Sequence, residues 1–287
     1  MRLISRYLAG FIGITILFGG FVACGTQAYK VSVRDDLDHS SGQTAAVSAA
    51  DKSSTLYGIH AQSGWKQLPI PFRFAPAMDP QQRTHLMAAM ERWEWATGKK
   101  LFRFDGDHSG TDGDSFKDLY SSLQDGVNGH YVDFNWAKTQ KPDFVLATTI
   151  WDNDRDITAI AKADIRFNGQ NYLIGDSLIL KATATREVVD MQSLALHELG
   201  HFLGLAHVEE DVDSLSIMNP SLFIGEGLTS RKLSKGDIER IHLIYGCSGK
   251  ACDVDGLIAA QETADWDKLT LSAKQWLQAK GESPTAN

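Results

Sequence analysis

Apolar positions along this chain fall first into one unbroken run and then into segments of two alternating periods. Residues 8–23 are apolar except for Thr15, and residues 25 to about 56 are rich in Ser, Ala, Gly, Thr and Asp with little periodicity. Period-two alternation starts at residues 69–75, where Ile70, Phe72 and Phe74 share one side and Pro69 and Pro71 put the strand's start at a sheet edge. A helix is predicted next: Asp79 is its N-cap, Pro80 its first residue, Leu86, Met90, Trp93 and Thr97 its apolar line, and Gly98 its stop. Residues 101–104, 130–134, 143–150 and 158–167 read as further strands. A second helix runs from Asp190 as N-cap to about Leu203. A third starts at Ser234, which forms a capping-box pair with Asp237 while Leu233 and Ile238 take the staple positions. Its buried face is Ile238, Ile241 and Tyr245, and Gly246 ends it. Beyond Cys252 the chain is polar, with one weakly amphipathic stretch at residues 269–277, and no internal repeat is found.

Composition narrows the class. The chain has 287 residues, 36 acidic against 28 basic side chains, and a net charge of −8. An acidic body with no Lys/Arg cluster excludes nucleic acid as a partner, since phosphate binding needs a basic footprint. The first 23 residues hold two arginines, no acidic group and the apolar run, which are the parts of an export signal. That run is short for a membrane-spanning helix, which wants about 20 residues. Its end, Phe21-Val22-Ala23-Cys24-Gly25, resembles a bacterial lipobox, in which the cysteine becomes the acylated N-terminus after cleavage. The resemblance implies a lipid anchor on Cys24, and Gly25 after it points to the outer membrane. Cleavage near Ala28, giving a secreted or periplasmic protein, and an uncleaved anchor are the other readings. Cys247 and Cys252 then form a candidate disulfide that clips the chain end, with two free thiols as the alternative.

The chemistry lies in residues 197–207, His-Glu-Leu-Gly-His-Phe-Leu-Gly-Leu-Ala-His. On a helix His197 and His201 present two imidazoles on one face. Gly204 can take the left-handed conformation that turns the chain back, so that His207 supplies a third nitrogen. Three neutral imidazoles leave a fourth tetrahedral position for water, the arrangement of a catalytic zinc. Glu198, beside a ligand but not itself one, is placed to accept a proton from that water. His39, His60, His85, His108, His130 and His242 are read as ordinary core or surface residues.

This motif, with Ser216-Ile217-Met218-Asn219-Pro220 as a methionine turn, resembles the metzincin proteases, and most nearly the matrixins and their bacterial members over about residues 64–246. The resemblance implies an α+β fold of the zincin/metzincin type: a twisted, mostly parallel five-stranded sheet with an antiparallel edge strand, an active-site helix and a C-terminal helix. It implies one catalytic Zn2+, Met218 beneath it, Glu198 as general base, and hydrolysis of extended protein or peptide substrates. It places the substrate along residues 158–167 and builds the main pocket from the chain after Met218, including Leu222 and Phe223. The corresponding layout is a lipoprotein-type signal at 1–23, a tether or short pro-region at 24–60, a catalytic domain at 61–247 and a polar tail at 248–287.

The departures also inform. Val208 replaces the serine of animal matrixins, eleven positions separate His207 from Met218, and Leu222 stands where a pocket tyrosine is common. No cysteine-switch segment and no His-x-Asp segment of a structural zinc site is seen, so inhibition by a thiolate is not predicted. Asp105, Asp107, Ser109 and Gly110 are similar to the front of a calcium loop, but Phe116 occupies the twelfth position, which rejects an EF-hand. A solvated turn or a looser Ca2+ site, there or at residues 152–156, remains. A different class of function also stands: a catalytically silent, zinc-containing envelope binding module or adhesin. Oligomeric state is not legible.

Overall fold

The computed structural model describes residues 29–32, 52–108, 121–153 and 155–263. The export signal, Cys24, residues 109–114 of the candidate calcium loop and the chain after Thr263 lie outside the described residues. In chain order the elements are β1 (Tyr29–Ser32), β2 (Gly64–Trp65), β3 (Ile70–Phe74), α1 (Pro80–Thr97), β4 (Phe102–Asp107), β5 (Gly129–Asp133), β6 (Ala147–Asp152), β7 (Ala159–Ile160), β8 (Lys162–Asn168), β9 (Leu173–Gly175), β10 (Val188–Asp190), α2 (Met191–Phe202), β11 (Ser221–Ile224), α3 (Lys235–Tyr245) and α4 (Val254–Thr263).

The helices begin and end where their local chemistry dictates. Asp79 caps α1, its side chain accepting from Gln82 N–H while the Gln82 side chain returns to the cap, and Gly98 closes the helix at φ 66°. Asp190 caps α2 through Ser193 N–H, and Ser234 and Asp237 form the capping box of α3. Each cap satisfies backbone donors that the first turn leaves without intrahelical partners.

The main sheet has the order β4-β3-β5-β8-β6, parallel except for β6, which runs antiparallel to β8. This is the mostly parallel five-stranded sheet expected. The free antiparallel edge, however, is β6, and not the strand at residues 158–167. Ile165 of β8 is paired on both sides, with His130 of β5 and with Thr149 of β6, so β8 has no edge to offer. Phe72, Phe102, Val132, Ile165 and Phe167 join α1 and α2 in one apolar core, into which Trp93 and Leu196 are drawn as the indole N–H donates to the Leu196 carbonyl at 3.1 Å. On another part of β5 and β8, fully buried Arg166 donates to Asp133 at 2.9 Å and lies 4.0 Å over the Tyr131 ring.

The packed body extends past both expected boundaries. Within the segment read as tether, β1 adds antiparallel to β11, and Tyr57 and Ile59 pack against the core. Within the segment read as tail, Cys247 and Cys252 form a disulfide, and α4 buries Leu257 and Gln261, the latter exchanging hydrogen bonds with the Leu233 backbone. The apolar residues of α4 recur at Val254, Leu257 and Ile258, a short line that Gly256 weakens as a sequence signal.

Burial of His130 gives a pH dependence. It is fully buried against Phe72 and Phe202, and desolvation lowers its pKa to about 3. With the folded value below the unfolded one, the unfolded chain takes up the proton first as pH falls. Stability is therefore full above about pH 6.5 and is lost progressively below it. His130→Phe is expected to remove about 2 kcal/mol of this loss at pH 5. Thermal unfolding of both proteins at pH 7.5 and pH 5 checks it: an equal Tm drop in both would refute it.

Candidate metal centre

α2 carries two imidazoles one turn apart. His197 and His201 lie on one face with ring centroids 4.7 Å apart. Every residue of α2 is buried, and desolvation lowers the His197 pKa to about 4 and drives that of His201 well below its ordinary value. Both rings are thus neutral, the form that ligates a metal.

Hydrogen bonds then choose the tautomer. A carbonyl oxygen only accepts, so His197 Nδ1–H donates to Ile217 O at 2.7 Å and His201 Nδ1–H donates to Leu205 O at 2.8 Å. Each ring proton sits on Nδ1, and the two Nε2 lone pairs face each other 3.0 Å apart. Lone pairs at that distance repel unless a cation or proton lies between them, so the donor set fits a metal ion on its own chemistry.

The third ring arrives by a chain reversal. Gly204 has φ 110°, and a Cβ there would meet the Ala61 carbonyl oxygen at 2.8 Å. His207 returns to ring distances of 4.7 Å from His201 and 5.3 Å from His197. One ligand atom from each of the three lies within 4.8 Å of the others, and no other group of three or more such residues does so among the described residues. Three imidazole nitrogens brought together in this way suit zinc.

Glu198 and Met218 are the other two residues that the sequence singles out. Glu198 is fully buried, and its Oε2 accepts from the Thr149 hydroxyl at 2.6 Å. Met218 is fully buried beneath α2, where a Cβ on Gly200 would overlap its sulfur. The turn around Met218 is tied to α3, because the Asp237 carboxylate also accepts from Ser216 Oγ and from Ile217 N–H.

The sequence missed what holds the far end of α2. Its last carbonyls receive side-chain donors from three separate places: His201 O from His60 Nε2 at 2.8 Å, Phe202 O from Trp65 Nε1 at 2.6 Å and Leu203 O from Tyr245 Oη at 2.8 Å. His60 also stacks on Trp151 at 4.1 Å, and burial lowers its pKa to about 4. The His60 and Ala61 N–H groups bond Gly204 O, Ala206 N–H bonds Gly58 O, and Glu209 N–H bonds the Tyr57 hydroxyl. Residues 57–61 therefore strap the loop that delivers His207. Their only sequence signal is Tyr-Gly-Ile-His, too short to carry a period.

The pocket residues divide. Leu222 points into the core at 6% exposure, whereas Phe223 is 52% exposed, because neighbours on β11 face opposite sides and cannot line one pocket together. A cavity of about 690 Å³ beside this strand is lined by Phe144, Glu209, Glu210, Asp211, Pro220, Ser221 and Lys52. As for calcium, the described carboxylates of the candidate loops are engaged by cations: Asp105 by Arg103, Asp107 by Arg83, Asp152 by Lys162 and Asp156 by Lys66.

A family model described as Matrixin matches residues 73–246, more than half of the chain. Metalloendoproteinase 5-MMP of Arabidopsis thaliana is 45% identical over 102 residues, covering 32% of this chain and 27% of the relative. Metalloendoproteinase 2-MMP of the same plant is 37% identical over 83 residues, covering 28% and 19%. Metalloendoproteinase 1 of Glycine max is 34% identical over 90 residues, covering 31% and 28%. The chain thus spans less than a third of the length of each of these relatives.

Gly204→Ala puts a Cβ into the strap at a backbone conformation that L residues rarely adopt. It is expected to cost roughly 1–3 kcal/mol of stability and to weaken zinc binding about tenfold by displacing His207. Thermal unfolding of the metal-free protein and chelator competition measure the two effects. Unchanged zinc affinity would show that the turn does not set the ligand.

Proposed function

The chain belongs to the matrixin family, and from that premise we propose that it is a zinc-dependent endopeptidase acting on extended protein or peptide segments. The observation that carries the reading is the tautomer arrangement: Nδ1 protons held by the Ile217 and Leu205 carbonyls leave Nε2 lone pairs converging beside a buried carboxylate. His197, His201 and His207 would hold the ion, which supplies Lewis acidity toward the scissile carbonyl and an acidified water. Glu198 takes the proton of the attacking water and returns it to the leaving amine. Desolvation of the site strengthens both roles, since charge in a dry pocket is felt at low dielectric.

Substrate positioning falls to β6. Its outer edge has backbone donors and acceptors for an antiparallel strand, so that main-chain bonds give affinity and a pocket gives preference. The pocket in this reading is the cavity between Phe144 and the chain at Pro220 and Ser221. Bulky apolar residues just after the cut are the expected preference.

We place the enzyme outside the cytoplasm, anchored through an acylated Cys24 at the outer membrane. The apolar run at residues 8–23 and the Cys247–Cys252 bond, of a kind favoured in oxidising compartments, support this address.

Two measurements test the reading. Glu198→Gln, carrying one zinc per chain, is expected to lose at least about 10²-fold in kcat on casein or a quenched peptide library; undiminished hydrolysis would remove Glu198 as the base. Cys24→Ser is expected to move from the membrane fraction to the soluble fraction. Wild type and variant both soluble, with one mature N-terminus, would end the anchor proposal.

A further inference from the structure

Thr149 sits at the middle of β6, on the side that faces α2. Alternation along the strand puts it between Ala147 and Trp151, both of which pack into the apolar core, and Thr149 itself is 3% exposed. A hydroxyl in that setting costs free energy unless it is hydrogen-bonded. Its bond is to Glu198 Oε2 at 2.6 Å, with the Glu198 carbonyl oxygen farther off at 3.2 Å. The hydroxyl has one proton, and the shorter contact, to Oε2, takes it.

We propose that Thr149 is the positioning residue of the proton acceptor: its hydroxyl fixes Glu198 Oε2 and thereby assigns proton uptake to Oε1. The inference rests on Glu198 as the base proposed above. Three features favour it. First, Glu198 is fully buried, and a carboxylate out of water needs a donor to hold its orientation. Second, a β-branched side chain on a strand has a restricted χ1, so the hydroxyl is placed before substrate arrives. Third, Thr149 is paired with Ile165 of β8, which is itself paired with His130 of β5, so the donor is mounted on the sheet and not on a loop. One residue then links the strand that would align substrate to the group that would move the proton.

The test uses the full-length, zinc-loaded chain and separates the hydroxyl from the side chain's shape. Thr149→Val keeps the shape and removes the donor; kcat is expected to fall about tenfold, with KM within about twofold and zinc stoichiometry unchanged. Thr149→Ser keeps the donor and is expected to restore kcat to within about threefold of wild type. A Val variant with wild-type kcat, or a Ser variant as impaired as Val, overturns the proposal, the second because methyl packing and not the hydroxyl would then matter. In a Glu198→Gln background the Val substitution should have no further effect on kcat, and independent, multiplying losses would overturn it equally. If wild type hydrolyses no peptide, the peptidase reading fails by itself. Thermal unfolding of the metal-free chain then decides the pairing: Tm changes of Thr149→Val and Glu198→Gln that simply add show no coupling and overturn it, whereas non-additive changes sustain it.

Discussion

An imidazole has one proton to place when neutral, and the site depends on where two of those protons go. Ile217 O and Leu205 O take them at 2.7 and 2.8 Å, so both Nε2 atoms are left as donors of electron pairs toward one point. Neither carbonyl belongs to α2, which carries the rings. Ile217 lies in the turn that buries Met218, and Leu205 lies in the loop that reverses at Gly204. Had either segment drifted, the ring facing it would have been free to turn over and point its proton at the other ring's nitrogen. The two histidine bonds therefore make the loop and the turn parts of the ligand set, and the remaining packing can be understood as what keeps those two carbonyls in place.

Both ends of α2 are held by buried polar groups, and for different reasons. At its N-terminus Asp190 accepts from Ser193 and pairs with Arg231, which also reaches Asp176 at 2.7 Å. Burial alone would push the Asp190 carboxyl up, but the bonds from Arg231 and Ser193 more than reverse it and hold the group below its usual range. Such a pair is poor evidence of net stability, since desolvating both ions offsets their attraction; its service is to fix the helix in one place. At the C-terminus no charge is used. His60, Trp65 and Tyr245 each give one neutral donor, to the carbonyls of His201, Phe202 and Leu203 in turn. A lysine or arginine there would satisfy the same carbonyls but would repel a metal ion held by the three histidines.

What was legible in the sequence was local. Asp79, Asp190, Ser234 and Gly98 act within four residues of themselves, and the spacing of His197 and His201 is a property of a single helix. What was not legible depended on partners far along the chain. Residues 143–150 and 158–167 carry similar apolar patterns, and only pairing decides that Ile165 has a neighbour on each side while β6 has one. His60 looked like any half-buried histidine, because its partners are Trp151 and the carbonyl of His201, 141 positions away. Thr149 was unremarkable for the same reason. Residues 248–263 were read as tail since α4 offers only a brief apolar line, and its packing rests on Gln261 meeting the Leu233 backbone. Leu222 and Phe223 face opposite sides of β11, a difference that two adjacent apolar residues do not display in the sequence.

The longer link between His207 and Met218 is reconciled with an intact site by closure of its ends. Val208 N–H donates to the Met218 carbonyl at 2.9 Å, and the Asn219 amide donates to the carbonyls of Val208 and Asp213. The residues between thus leave and re-enter the body at one place, as a loop whose length does not register at its base. Inside it, Val212 and Asp213 N–H groups turn back to Glu209 O, and the Asp213 carboxylate accepts from Ser234 Oγ at 2.6 Å beside Arg240 at 3.8 Å. Ser234 is the cap of α3, the same helix whose Asp237 holds the turn at Ile217. Extra residues in the link are therefore docked on the element that already fixes the Ile217 carbonyl. Extending the loop costs little in closure entropy, because that term grows only with the logarithm of length. The insertion changes the rim of the cavity, where Glu209, Glu210 and Asp211 stand, and leaves the tautomer of His197 untouched.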